Sequence, residues 1–128
     1  MADVKILVID DEEELLDRLQ IPLRLEGYEV IIAQNGKEGL EKFEKENPDL
    51  VLCDIIMPEM DGFEVLTKIR QNSKKWVPVI MFSATTDSER IQKSWKQDAD
   101  FYLPKPVNPS ILSRNIKTLL NMAKDRIQ

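Results

Sequence analysis

The sequence predicts an α/β protein built on a parallel sheet with helices on both faces. Three observations carry that prediction. Short β-branched or leucine-rich runs alternate five times with longer stretches whose apolar residues recur every three or four positions. Helix-length segments separate successive strands, the connection that parallel strands joined by right-handed crossovers require. The length, 128 residues with 42% hydrophobic and 32% charged, suits one domain with its own core, spanning residues 1–128.

Residues 4–9, Val-Lys-Ile-Leu-Val-Ile, read as the first strand. Leu15, Leu16, Leu19 and Leu23 then mark a helix that Gly27 stops. Pro22 cannot donate to the Arg18 carbonyl and is expected to bend or break this helix. Residues 29–33 are the second strand, followed by a helix over 36–46 with Leu40 and Phe43 inward. Gly39 inside that helix is expected to cost about 1 kcal/mol relative to alanine. Asn47-Pro48-Asp49 is a break, and residues 50–53 form the third strand. After a loop over 57–62, Phe63, Val65, Leu66 and Ile69 carry the third helical stripe. Pro78 opens the fourth strand, 79–82. Thr86-Asp87-Ser88-Glu89 has capping-box form and predicts a fourth helix with Ile91 and Trp95 to bury. Residues 101–103 are the fifth strand. Asn108 and Pro109 open the last helix, with Leu112, Ile116, Leu119, Leu120, Ala123 and Ile127 on one stripe.

Composition removes several kinds of chemistry. With no histidine, the chain cannot form a Ser-His-Asp or Cys-His pair or a histidine-ligated zinc site. Its four glycines, Gly27, Gly36, Gly39 and Gly62, match no phosphate-cradling spacing. A net charge of −5 argues against nucleic acid or an anionic membrane as partner. The single Cys53 precludes an internal disulfide and fits a reducing compartment. No apolar run approaches the ~18 residues of a membrane span, so a cytoplasmic location is expected.

In a doubly wound fold, function collects at the carboxyl ends of the strands. Asp10-Asp11 end the first strand, Asp54 the third and Ser83-Ala84 the fourth, and Lys105 follows the fifth. Neighbouring strands lie ~4.8 Å apart, so these groups can share one pocket. Three carboxylates there would repel one another unless a cation held them, and oxygen-only ligands suit Mg²⁺. Adding a lysine and a hydroxyl describes a site for a phosphoryl group. Taken singly, each residue has a plainer explanation. Asp10 and Asp11, with Glu12-Glu13-Glu14, could cap the first helix and complement its dipole. Asp54 could be a loop aspartate, Ser83 a turn residue and Lys105 a solvated charge between two prolines. Cys53 reads as a small buried hydrophobe, and Trp76, Trp95, Met57 and Met60 read as packing.

The conjunction resembles the receiver domain of two-component response regulators. It rests on Ile6-Leu7-Val8-Ile9-Asp10-Asp11, Val51-Leu52-Cys53-Asp54-Ile55-Ile56-Met57-Pro58, Met60-Asp61-Gly62, Phe82-Ser83-Ala84 and Tyr102-Leu103-Pro104-Lys105-Pro106, covering essentially the whole chain. The resemblance implies a flavodoxin-like (βα)5 sheet of order 2-1-3-4-5. It implies Asp54 as phosphoacceptor. Asp11, Asp54 and the Ile56 carbonyl would be Mg²⁺ ligands, with Asp10 acting through water. Ser83, Ala84 and Lys105 would stabilise the phosphoryl group, Ser83 and Tyr102 would switch, and the Lys105-Pro106 bond would be cis. Ile56 and Thr85 would flank the approach of hydrolytic water. Ile56 cannot orient a water, so slow loss of phosphate is expected.

A chain without histidine needs its phosphohistidine in trans, from a sensor histidine kinase or a histidine phosphotransfer protein. The output would be a linked domain or a separate downstream protein. The fourth helix, fifth strand and fifth helix would form the switching face and a candidate homodimer contact. No separate substrate would be turned over, so an enzyme in the ordinary sense is not expected. Asp98 stands where the family usually has glycine, and Gly39 where it usually has alanine. Two alternatives remain: an interaction module of the same fold that works without phosphorylation, and an aspartate-nucleophile phosphatase. The latter resembles D-x-D on the first strand, where this chain has Asp10, Asp11 and Glu12.

Overall fold

Strands buried on both faces read as near-continuous apolar runs, and the central strands of the sheet are such segments. The computed structural model describes residues 3–83 and 99–126. Strands β1 (Lys5–Ile9), β2 (Glu29–Ala33), β3 (Leu50–Asp54), β4 (Val79–Ser83) and β5 (Phe101–Pro104) pair in parallel. Their order is β2-β1-β3-β4-β5. Each of the central strands β1 and β3 has at most one residue short of full burial. The 2-1-3-4-5 order expected from the resemblance is the observed one.

Helices α1 (Glu13–Leu25), α2 (Gly36–Glu46) and α3 (Gly62–Asn72) and the C-terminal helix (Pro109–Arg126) cover the sheet. Leu16, Leu19 and Leu23 of α1 join Leu112, Ile116 and Leu119 of the C-terminal helix against Ile6, Val8 and Leu52. On the other face, Phe43 of α2 and Phe63, Leu66 and Ile69 of α3 pack on Leu7, Ile9, Val51 and Cys53. Burying each such side chain contributes about 1.5–3 kcal/mol. Side-chain caps fix where three of the helices begin. Asn35 Oδ1 accepts the Glu38 N–H at 2.8 Å, Asp61 Oδ1 the Glu64 N–H at 3.0 Å, and Asn108 Oδ1 the Ser110 N–H at 2.9 Å. The cap expected at Asn108 is present.

The structure refines two expectations. α1 is not broken at Pro22: it runs on to Leu25, and Glu26 N–H still donates to the Pro22 carbonyl at 3.2 Å. Leu19 and Leu23, on either side of the proline, are both buried in the core, and their packing outweighs the one lost bond. Gly39 is more than a propensity cost. A Cβ there would lie 2.5 Å from Ile9 Cδ1 and 2.8 Å from Cγ1, so the glycine lets α2 approach β1. The helix predicted from Thr86, with Ile91, Trp95 and Asp98, lies outside the described residues, as does Ile127. Trp76, Met57 and Met60 are packing residues, as expected. Among the described residues no helix is long and apolar enough to cross a membrane.

Candidate functional site

The register brings the strand ends into line. Ile9 pairs with Cys53, Asp54 with Phe82 and Ser83 with Pro104, so Asp10, Asp54 and Lys105 emerge at one edge. Asp10 is fully buried and Asp54 is 4% exposed. Asp10 Oδ1 accepts the Glu12 N–H at 2.8 Å, an Asx turn that starts the chain into α1. This turn swings Glu12 back over the pocket. α1 has no side-chain cap hydrogen bond, so Asp10 shapes the turn before the helix rather than capping it, and its other oxygen faces inward, toward Lys105.

That inward face is organised around one ammonium. Lys105 Nζ lies 3.1 Å from Asp10 Oδ2, 3.2 Å from Asp54 Oδ2 and 3.1 Å from Glu12 Oε1. Its side chain is only 11% exposed, so Lys105 is not the solvated charge that its position between two prolines allows. The Lys105-Pro106 bond is cis, as expected.

Behind Asp54, the loop is fixed by its backbone. Ile55 N–H donates to Phe82 O at 3.0 Å and Gly62 N–H to Ile55 O at 2.8 Å. Glu59 takes a left-handed φ of 67°, a conformation uncommon outside glycine, at the apex of this loop. Ile56 is 44% exposed, while Ile55 is buried.

The charges shift one another. Burial pushes the Asp54 carboxyl up to about 6, the Asp10 carboxylate adds to the push, and the Lys105 ammonium opposes it. Burial likewise raises Asp10, against the pull of the Glu12 N–H and Lys105. For Lys105, burial favours the neutral amine, but Asp54, Asp10 and Glu12 outweigh it and raise its pKa. Burial holds the Cys53 thiol protonated, which bears out its reading as a small hydrophobe. Three carboxylates against one lysine leave the pocket short of positive charge.

Carboxylate oxygens of Asp10, Glu12 and Asp54 lie within 4.8 Å of one another, close enough to hold one metal ion. Glu12 is the residue that sequence reading missed as a pocket group. In sequence, a glutamate two positions after a strand-end aspartate reads as a dipole partner, because only the Asx turn reveals where it points. Asp11 is exposed and stands outside that trio. Tyr102 is half-buried against the α2/α3 side of the core. The Ser83 side chain, Ala84 and Thr85 lie outside the described residues.

Fold and site define a doubly wound protein with a carboxylate–lysine pocket at the carboxyl edge of its sheet. Residues 6–117 match the response regulator receiver domain, and the chain belongs to that family of two-component signalling proteins. It is 38% identical over 120 residues to the alkaline phosphatase synthesis transcriptional regulatory protein PhoP of Bacillus subtilis, covering 94% of this chain and 50% of the relative. The chain spans about half the length of the first curated relatives it matches. An uncharacterized 14.6 kDa protein of Leptolyngbya boryana is 38% identical over 118 residues, covering 91% of this chain and 90% of the relative. The CheY-like receiver domain protein of Methanospirillum hungatei superposes with a TM-score of 0.91 at 37% identity, covering 97% of this chain and 98% of that one.

Proposed function

We propose that Asp54 accepts a phosphoryl group from a phosphohistidine on a partner protein, with Mg²⁺ in the pocket. The observation that carries this reading is the Lys105 ammonium held 3.2 Å from a nearly buried Asp54 carboxylate. An Asp54 oxygen attacks phosphorus; the new O–P bond forms as the N–P bond breaks and the histidine imidazole leaves with the electron pair. Such a transfer needs neutralised oxygens and in-line placement more than proton movement. Lys105 supplies a fixed positive charge beside the acceptor oxygen. The Gly62 and Ile55 backbone bonds hold the Asp54 loop still while the donor arrives.

The pocket fits Mg²⁺ on its donor set, which is oxygen only and carries excess negative charge. Asp11, Asp54 and the Ile56 carbonyl would hold the ion, with Asp10 acting through water. Bound there, Mg²⁺ would neutralise phosphoryl oxygens during transfer. Ser83 and Ala84 would add donors to those oxygens, and Ser83 and Tyr102 would pass the change to the face formed by β5 and the C-terminal helix.

The donor is a sensor histidine kinase or a histidine phosphotransfer protein, because this chain has no histidine. The protein turns over no separate substrate. Incubation with an acyl phosphate and Mg²⁺ should add one phosphoryl group by mass spectrometry, and Asp54→Asn should abolish it. Equal labelling of that variant would move the acceptor elsewhere.

A further inference from the structure

We infer that Glu12 is a positioning residue that ties the Lys105 ammonium to the mouth of the pocket and so slows phosphoryl transfer. The inference rests on the reading of Asp54 as acceptor. Lys105 Nζ lies 3.1–3.2 Å from three carboxylates, and it donates a hydrogen bond to Glu12 Oε1 at 3.1 Å while Asp10 Oδ2 accepts none. Two of them, Asp10 and Asp54, are buried at strand ends and fixed by the sheet. Glu12 is different: its side chain is 60% exposed and reaches in from the start of α1. It donates nothing to a phosphoryl group. It contributes negative charge and a hold on the lysine.

A phosphoryl group arriving on Asp54 must take donors from Lys105, and Glu12 competes for them. Its charge also stands beside the path of an anionic donor. Glu12→Gln keeps the reach and removes the charge. The neighbouring Glu13 and Glu14 supply internal controls. Both are exposed carboxylates on the same turn, but neither is ion-paired to Lys105, and Glu14 pairs with Arg18 at 3.3 Å instead. Replacing them removes equal charge without touching the lysine.

The experiment compares wild type with Glu12→Gln, Glu13→Gln and Glu14→Gln. Initial labelling rates are measured with an acyl phosphate and Mg²⁺, and beryllofluoride binding by amide chemical shifts. Glu12→Gln should label about threefold to tenfold faster and bind beryllofluoride correspondingly more tightly. The other two variants should stay within about twofold of wild type. Unchanged or slower labelling by Glu12→Gln would overturn the inference. So would equal acceleration by Glu13→Gln or Glu14→Gln, since diffuse charge would then explain the effect. Calorimetric Mg²⁺ titration provides the remaining arm: a tenfold or greater loss of affinity in Glu12→Gln would make Glu12 a metal ligand instead. Asp54→Asn, run alongside, separates the two readings. Labelling of that variant would count against the acceptor, and its absence beside an inert Glu12→Gln would count against Glu12 alone.

Discussion

Gly62 lies against the carbonyl oxygen of Asp54 so closely that a Cβ at position 62 would overlap it. The same Cβ would stand 2.9 Å from the Ile55 Cα, and the Gly62 N–H donates to the Ile55 carbonyl at 2.8 Å. The obstacle is backbone on both counts, so no side-chain rotation relieves it. Gly62→Ala should therefore lose about 2–4 kcal/mol of stability and displace the loop that carries the acceptor. Urea unfolding measures the first effect and labelling by an acyl phosphate the second. A variant as stable as wild type would show that the α3 start can retreat from β3.

Gly39 faces a side chain rather than backbone. Ile9 would meet its Cβ at 2.5 Å, but Ile9 is itself fully buried and flanked by the α2/α3 core. Helix propensity alone favours Gly39→Ala by about 1 kcal/mol. Overpacking costs typically 1–3 kcal/mol, so the substitution should be destabilising on balance. A rise in thermal midpoint would mean that Ile9 repacks freely.

Ionising Asp54 costs the folded protein. Its carboxyl titrates at about 6 when folded against an ordinary 3.8, so the folded state binds more protons across that interval. Stability contributed by the protonated acid is full below about pH 4 and is lost as pH rises through 6. In metal-free buffer, Asp54→Asn should therefore be more stable than wild type by about 2–3 kcal/mol at pH 7, and should lose that advantage near pH 4. Denaturant midpoints at the two pH values test it; a pH-independent difference would assign the effect to another group.

Ile56, two positions after Asp54, is exposed and has no group to orient a water. Phosphate should leave Asp54 slowly, and Ile56→Asn should speed its loss several-fold. A tenfold change corresponds to only ~1.4 kcal/mol. Phosphate release from purified phosphoprotein in Mg²⁺ is the measurement, and a variant as slow as wild type would remove Ile56 from the control of lifetime.

Period and punctuation in the sequence determined the secondary structure around the site. Alternating apolar runs gave the five strands, Asn108-Pro109 gave the start of the last helix, and strand-end carboxylates with a lysine located the pocket. Those signals are local, so they survive without knowledge of neighbours. Other features belong to contacts between distant segments. That Pro22 leaves α1 unbroken depends on Leu19 and Leu23 finding a core to pack on. That Gly39 is needed depends on where Ile9 points across the α2–β1 interface. The placing of Glu12 on Lys105, 93 residues away in sequence, depends on an Asx turn meeting the end of a strand two positions across the sheet from β3. The residue types of a pocket are written in the chain, but which of its carboxylates reaches the lysine is set by strand register and loop direction, and only the tertiary structure decides those.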